Sequence, residues 1–310
     1  MSKYILNRLL ILVFVVWIII TVTFGFLHSI PGGPFDREKN IPEEVKRNIE
    51  ARYRLNDPLY KQYLDYLLNI IRLDLGPSYK YIGRSVNDLI LEGFPRSALI
   101  GFLSILISLS LGIPLGSYCA LKQNRWQDHF LMLTAIVGVS VPSFILASIL
   151  MYFFSLKLKI FPATGWGTFK HLILPSLSLS SFSIAYIIRL IRSSMLDVLS
   201  QDYIKTAYSK GLATRTVVLK HALKNAIFPI VTYLGPLTAG ILTGSFVIEK
   251  IFSIPGLGRM LVVSIGNRDY TATLGITLFY SVLLVSFNSL VDIVYMILDP
   301  RVRLSKKQMI

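Results

Sequence analysis

The sequence predicts an all-α integral membrane protein with six transmembrane helices and both termini in the cytoplasm. Of its 310 residues, 53% are hydrophobic and only 16% are charged, whereas soluble domains carry charge on about a quarter of their residues. The charged residues also fall in blocks that are separated by long uncharged stretches. Among the short blocks, Lys and Arg concentrate in alternate ones, as expected for loops that stay in the cytoplasm.

Six stretches contain no Asp, Glu, Lys or Arg, and each approaches or exceeds the roughly 20 residues that a helix needs to cross a bilayer. They are Leu9 to Phe35, Ser97 to Leu121, His129 to Leu156, His171 to Ile188, Asn225 to Ile248 and Tyr270 to Val291. The fourth is the shortest, with 18 residues, and it is rich in serine. Serine hydroxyls can bond within a helix or to a neighbouring helix, so this stretch is expected to pack inside a bundle.

The first stretch has two interpretations, because Lys3 and Arg8 precede an apolar run as they would in a secretory signal. A signal core has about 7 to 15 apolar residues before a cleavage site of small residues. The run from Leu9 to Ile30 is longer and ends at Pro31-Gly32-Gly33. An uncleaved first helix is therefore the favoured interpretation.

The orientation follows from the basic residues. With the amino terminus inside, the inner segments hold fifteen Lys and Arg residues, and the short outer loops hold six. Eleven more lie in the 61-residue segment from Asp36 to Arg96, where length weakens the positive-inside rule. We therefore expect a cytoplasmic segment and first helix in residues 1–35, an external segment in 36–96, a membrane domain in 97–299 with a cytoplasmic loop at 189–224, and a basic cytoplasmic tail in 300–310.

The sequence offers little for an enzyme, an ion-coupled carrier or a metal site. Asp292 is the one acidic residue in an apolar segment, and it lies near the inner end of the sixth stretch. An ion pair with Arg301 or Arg303 is a simpler explanation for it than a role in ion coupling. The four histidines form no zinc motif, and Cys119 is expected to be an inert packing residue. No phosphate-binding loop of the Gly-x-x-x-x-Gly-Lys-Ser/Thr type occurs, so energy for uphill transport would have to come from another chain.

The cytoplasmic loop from Arg189 to Lys224 is the strongest signal, because packed helices are usually joined by two to about eight residues. The stretch from Arg189 to Tyr208 has no Pro or Gly, so the fourth helix can continue into the cytosol. Gly211 then ends it, and Thr214 or Thr216 can cap a second helix over 217–226. The small residues Ala207 and Gly211 would share one face, open to close approach by another protein. The basic residues of the loop also suit lipid phosphates.

This loop resembles that of permease subunits of binding-protein-dependent ABC importers, in the form found in the dipeptide/oligopeptide/nickel group. The matching runs are Asp202-Tyr203-Ile204-Lys205-Thr206-Ala207, Lys210-Gly211-Leu212 and His221-Ala222-Leu223-Lys224-Asn225-Ala226. Similar segments occur along most of the chain, including Asn56-Asp57-Pro58-Leu59, Val141-Pro142-Ser143-Phe144 and Glu249 to Gly258. Asp202 stands where the family usually has Glu, and Gly33 where Asp is common.

The resemblance implies the type I ABC importer transmembrane fold over 97–299 and a loop that inserts a short coupling helix into an ATPase subunit. The residues assigned to ATPase coupling are Asp202, Tyr203, Thr206, Ala207, Lys210, Gly211, Leu212, His221 and Asn225. The expected partners are a second homologous permease, two ABC ATPases, an extracytoplasmic solute-binding protein and membrane lipid, with no nucleic acid. The chain itself is expected to hold no catalytic residue, metal or cofactor, since ATP and Mg²⁺ would be bound by the ATPases.

The prolines of the spans, the glycine pairs and the apolar segment 252–258 each allow two interpretations. Pro114, Pro142, Pro175, Pro229 and Pro236 could belong to a moving pathway lining or to a static bundle. Two Gly-x-x-x-Gly pairs, Gly112/Gly116 and Gly240/Gly244, could pack within this subunit or against a second permease. The apolar segment 252–258 could dock a solute-binding protein or fill the fold as a hairpin.

The resemblance favours di- and oligopeptides as cargo, with nickel or metal chelates as the alternative within the same family. An autonomous channel or facilitator is the alternative of another class, and a membrane enzyme is weaker because acid, base and metal clusters are lacking. We expect the protein in the cytoplasmic (inner) membrane of a bacterium.

Overall fold

The computed structural model describes residues 2–35, 53–81 and 83–298, and this part of the chain is helical almost throughout. Within it we number eleven helices in chain order. They are α1 (Ser2–Ser29), α2 (Leu59–Ile71), α3 (Val86–Leu121), α4 (Trp126–Ser140), α5 (Ser143–Lys157), α6 (Lys170–Leu199), α7 (Asp202–Ser209), α8 (Thr214–Ala226), α9 (Phe228–Ile251), α10 (Leu257–Gly266) and α11 (Tyr270–Leu298). Within the described ranges, Pro77 and Ser85 form an isolated antiparallel β-bridge.

Four of these helices, α1, α3, α6 and α11, are long and apolar enough to cross a membrane unaided. The bent pairs α4–α5 and α8–α9 also qualify, which gives up to six spans if each pair counts as one. The all-α membrane architecture predicted from the sequence is thus confirmed. The number of six spans and the cytoplasmic position of both termini remain predictions.

The third predicted span is not a continuous helix, because it breaks at Val141 and Pro142. Val141 has extended backbone angles (φ −87°, ψ 119°), as expected for a residue that precedes proline. Pro142 then begins a new segment, and α4 and α5 meet at 106°. Proline chemistry outweighs the apolar composition here, since the Pro142 nitrogen has no proton to continue the helical hydrogen bonds.

The fourth span is packed as its serines predicted. In its most apolar window 61% of the residues are buried, against 11% for α1. Ser176, Ser178, Ser180 and Ser183 are all buried, and Ser178 donates to the carbonyl of Leu174 over 2.7 Å. Back-bonding of this kind satisfies a hydroxyl inside the bundle. By contrast, α1 exposes large apolar side chains along most of its length.

The chain divides into two compact units. One contains Met1–Arg96 and Pro255–Val285, and the other contains Ser97–Ile254 and Ser286–Ile310. In the first unit, α2 and the start of α11 pack on the carboxyl-terminal half of α1 through Ile20, Leu27, Tyr66 and Leu274. In the second, α6 is central, and the buried residues Ile187, Ile191 and Met195 join those of the cytoplasmic loop in one core.

The first Gly-x-x-x-Gly pair packs within this chain. A Cβ on Gly112 would lie 2.6 Å from Cγ2 of Ile187, and one on Gly116 would lie 2.7 Å from the carbonyl oxygen of Ile188. Both distances are far inside van der Waals contact, so these glycines allow α3 and α6 to touch. Around Gly240 no described atom outside its own helix lies within 4 Å of the Cβ position. Packing of Gly240 against a second permease stays a prediction, and the side-chain position of Gly244 lies outside the described residues.

The apolar segment after α9 is packed rather than displayed. Phe252 is 2% exposed and Ile254 is fully buried in the second unit, while Leu257 is fully buried in the first. Arg96 donates to the carbonyl of Pro255 over 2.9 Å. These three side chains pack within the fold, as the hairpin interpretation expects. Docking of a solute-binding protein on this segment stays a prediction.

Candidate functional site: the cytoplasmic loop

The fourth predicted span ends about two and a half helical turns earlier than the sequence suggested. We predicted a helix continuing to Tyr208, but α6 ends at Leu199 and Gln201 adopts extended angles (φ −72°, ψ 148°) before α7 begins at Asp202. α7 is amphipathic, and its buried residues are Ile204 and Ala207. The packing of these two side chains into the core sets the direction of the short helix, which has only eight residues.

Gly211 ends α7 through a Schellman motif. The N–H of Leu212 donates to the carbonyl of Ala207 over 3.4 Å, and the N–H of Gly211 donates to that of Tyr208 over 2.9 Å. Gly211 has φ +75°, a left-handed conformation that glycine adopts without the steric cost of a Cβ. No described atom lies within 4 Å of its Cβ position. The backbone angle, and not the available space, therefore demands glycine here.

The second helix of the loop starts at Thr214, and Ala213 is the residue that precedes it, with no side chain capping its first turn. The predicted cap by Thr214 or Thr216 is therefore wrong. The helix widens into a π-helical turn over Val217–Ala222. Val217, Val218 and Ala222 are buried, and this burial holds the segment in place without a cap.

One hydrogen bond ties the two helices of the loop together. The side-chain amide of Asn225 donates to the hydroxyl of Tyr203 over 2.7 Å. Both residues were assigned to the coupling site from sequence, and the structure brings them together. Asp202 pairs with Lys205 at 2.9 Å, but the side chains are 94% and 69% exposed, so solvent screens this pair.

Ala207 corrects the predicted small-residue face. Its side chain is 6% exposed and lies in the core, and Gly211 lies beyond the helix end. A partner cannot approach along a face formed by the two. The accessible surface instead carries Tyr203, Tyr208 and Leu212, which are 44%, 41% and 38% exposed. Of the other assigned residues, Thr206, Lys210, Gly211 and Asn225 are exposed and His221 is half-buried.

Basic side chains surround these exposed apolar groups. Lys205, Lys210, Arg215, Lys220 and Lys224 are all exposed. Of these five side chains, Lys205 forms an ion pair within the described part of the chain, with the exposed Asp202. Exposed aromatic and aliphatic side chains with a basic rim are typical of a protein–protein contact surface. We call Tyr203, Tyr208, Leu212 and these five basic residues the loop surface.

Sequence reasoning missed the ion pair at the base of this loop. Arg192 of α6 binds Asp128 of α4 with two parallel hydrogen bonds, Nε to Oδ1 at 2.6 Å and Nη2 to Oδ2 at 2.7 Å. The Asp128 side chain is 1% exposed and also accepts the N–H of Asn124 over 3.0 Å. The partners are 64 positions apart in the sequence, so no local pattern could reveal the pair. It fixes α4 to the helix that leads into the loop.

A second missed carboxylate lies at the start of α11. Asp269 is fully buried and accepts hydrogen bonds from the hydroxyl of Ser78 and from the N–H groups of Tyr79 and Ala272. It caps the first turn of α11 and holds residues 78–80 on that end. Among the described residues no group of three or more His, Cys, Asp or Glu side chains could hold a metal ion. Asp128 and Asp269 each accept hydrogen bonds from a distant part of the chain and so hold two segments together.

Comparison with known proteins gives consistent results. Residues 112–304 match the family model described as binding-protein-dependent transport system inner membrane component. The chain is 47% identical to the dipeptide transport system permease protein DppB of Bacillus subtilis, over 99% of this chain and 100% of that protein. It is 45% and 43% identical to the oligopeptide transport system permease proteins OppB of Haemophilus influenzae and Escherichia coli, over 98% of this chain and 100% of each relative.

Solved structures share the fold at low sequence identity. A crystal structure of an amino acid ABC transporter with histidines matches with a TM-score of 0.51 and 18% identity, over 67% of this chain and 94% of that one. Inward-facing conformations of the MetNI methionine ABC transporter match with a TM-score of 0.55 and 19% identity, over 67% and 93%. Together with the family match and the near full-length relatives, this fold shows that the chain belongs to the family of inner membrane components of binding-protein-dependent transport systems.

Proposed function

We propose that this chain is a permease subunit that forms half of the pathway of an ABC importer for di- and oligopeptides. The relatives that match over nearly their whole length are named dipeptide and oligopeptide permeases. ATP hydrolysis in partner subunits drives the transport, and this chain binds neither ATP nor Mg²⁺ and carries no catalytic residue.

The loop surface carries the proposal. It combines a short helix fixed on the membrane core by Ile204, a glycine turn at Gly211 and exposed Tyr203, Tyr208 and Leu212 beside exposed basic side chains. An ATPase subunit docks here. Because α6 leads into the loop and α9 leaves it, movement of the docked ATPase is transmitted to two helices of the membrane domain.

A second permease supplies the other half of the pathway. The open surroundings of Gly240 on α9 support this step, because a small residue lets a helix of another subunit approach closely. A solute-binding protein delivers peptide on the external side. Bends of 106° at Pro142 and of 51° at Ile227, two residues before Pro229, suit helices that open the pathway to each side in turn.

Replacement of Gly211 tests the coupling role. Gly211→Val forces a β-branched residue into the left-handed region, at a cost of about 1–3 kcal/mol, without any steric clash in the open space around it. Gly211→Asn is the matched control, since Asn tolerates this conformation. In the assembled importer in proteoliposomes, we expect Gly211→Val to keep ATP hydrolysis but to lose peptide uptake, and Gly211→Asn to keep both.

Full peptide uptake by Gly211→Val would contradict the coupling role. A tag on this chain tests the assembly, because purification should recover an ABC ATPase and a second permease. Recovery of a homo-oligomer, together with solute flux through the purified chain alone, would instead identify an autonomous channel.

A further inference from the structure

The first unit contains a cavity of about 570 Å³, within the range of about 300–1,000 Å³ that is typical of ligand sites. It lies beside the outer end of α1 and is lined by Phe24 and His28 of that helix, by the polar face of α2 and by the first turns of α11. The coupling function described above does not use it.

The described lining of this cavity is positively charged. Arg54 and Arg72 line it together with Asp65. Arg54 pairs with Asp65 at 3.6 Å, while Arg72 forms no ion pair among the described residues. Within the described lining, Arg72 is therefore a cation without a carboxylate partner. A guanidinium binds phosphate oxygens with two parallel hydrogen bonds.

Tyr66 lines the same cavity with a buried side chain. Its side chain is 8% exposed, and its hydroxyl has no hydrogen-bond partner among the described residues. Burial raises the pKa of this hydroxyl well above its ordinary value, so the group stays protonated at neutral pH and can donate. A buried hydroxyl without a partner is unfavourable unless a ligand accepts a hydrogen bond from it.

An apolar stripe adjoins the cavity. α2 exposes Tyr60, Leu64, Leu68 and Ile71, which lie along one side of the helix and are 70%, 53%, 54% and 78% exposed. Leu68 belongs both to this stripe and to the cavity lining. A ligand in the cavity can therefore extend directly over an apolar surface, which distinguishes this site from one for a small soluble anion.

The depth of α2 indicates what covers the stripe. The hydroxyl groups of Tyr63 and Thr21 lie 2.6 Å apart, and the rings of Tyr63 and Phe24 are 5.3 Å apart. Thr21 lies eight residues before the end of α1, about 12 Å along the helix axis. α2 therefore lies alongside the outer half of a membrane span, and its stripe continues the lipid-facing surface of α1, where Val22 and Phe26 are 49% and 70% exposed. This is the placement of an interfacial amphipathic helix.

We propose that the cavity binds an anionic phospholipid of the outer leaflet. Its phosphate contacts Arg72 and the Tyr66 hydroxyl, and its acyl chains lie along Leu68, Leu64 and Ile71. The first unit is then anchored in the membrane through both α1 and a bound lipid.

Native mass spectrometry of the complex, purified through a tag on this chain, tests the proposal. The probes are dioleoylphosphatidylglycerol, dioleoylphosphatidylethanolamine and sn-glycerol 3-phosphate. We expect phosphatidylglycerol to bind most tightly and glycerol 3-phosphate not to displace it. Arg72→Gln should weaken phosphatidylglycerol binding about tenfold, the loss expected for one charge-assisted hydrogen bond. Lys61→Gln is the matched control, because Lys61 is a cation of α2 outside the cavity lining and should have no effect.

Equal binding of glycerol 3-phosphate and phosphatidylglycerol would identify a site for soluble phosphate and overturn the proposal. Equal losses in Arg72→Gln and Lys61→Gln would overturn it as well. A nitroxide label gives a test that needs no loss of the arginine. In a Cys119→Ser background, a label at Leu68→Cys should collide with oxygen more than with a water-soluble nickel chelate, and a label at Lys61→Cys should do the reverse. Preference for the nickel chelate at Leu68, or shielding from both, would place water or a protein partner on the stripe and refute the lipid site.

Discussion

The Asp128–Arg192 pair at the base of the cytoplasmic loop should be a major contribution to the stability of the second unit. Asp128→Asn keeps the size of the side chain but removes the charge that accepts both guanidinium hydrogen bonds. Breaking a buried ion pair costs about 3–5 kcal/mol, because the remaining charge has no partner. The Arg192 side chain is 23% exposed, so water can solvate it in part. We therefore expect the lower end, a loss of about 3 kcal/mol in the free energy of unfolding.

A double-mutant cycle isolates the pair itself. The free energy of unfolding would be measured by titration of SDS into the protein in mixed micelles, for Asp128→Asn, Arg192→Gln and the double variant. The double variant should be more stable than the sum of the single losses predicts, by about 2 kcal/mol. Asp202→Asn is the matched control, because Asp202 and its partner Lys205 are both exposed. This substitution should cause no measurable change in the free energy of unfolding.

Additive losses in this cycle would refute the assignment. They would mean that Asp128 and Arg192 act independently, and that the two hydrogen bonds of 2.6 and 2.7 Å contribute no specific attachment of α4 to α6. An equal loss of unfolding free energy in Asp202→Asn and Asp128→Asn would also contradict the prediction, which rests on the burial of Asp128.

Three further predictions follow from single contacts. Gly116→Val should lower the thermal stability of the purified chain, separated from its partner subunits, by the equivalent of about 1–3 kcal/mol, since its Cβ would lie 2.7 Å from a backbone carbonyl. Gly240→Ala should leave the stability of the isolated chain unchanged. Asn225→Ala should cost about 1 kcal/mol by SDS titration through loss of its bond to Tyr203, and Tyr203→Phe should cost about as much. Asp269→Ala should increase proteolytic cleavage within residues 76–81, because it removes the acceptor for Ser78 and for the N–H groups of Tyr79 and Lys80.

The sequence was informative where the signal is local. Uncharged stretches predicted the apolar helices, clustered serines predicted the buried fourth span, and Gly211 predicted the turn of the loop. Contacts between distant residues carry no such local signal, so Asp128–Arg192 and the hydrogen bonds to Asp269 were not foreseen. The break at Pro142 could have been predicted from proline chemistry, but the apolar composition of the stretch favoured a single helix. Ala207 was placed on the wrong side because its spacing from Gly211 was interpreted as helical, although the helix ends before Gly211.

The most direct test of the account is a cross-link between the loop surface and the ATPase. In a Cys119→Ser background, Leu212→Cys on the loop and Ile265→Cys on α10 place single exposed thiols on sides that the predicted topology assigns to the cytoplasm and the exterior. A short photoactivatable reagent attached to each thiol would be illuminated in the assembled complex. We predict a covalent product with the ATPase from Leu212→Cys, with a yield that changes when ATP is bound, and none from Ile265→Cys. Absence of the Leu212 product, or an ATPase product from Ile265, would contradict the proposal that this loop couples ATP hydrolysis to transport.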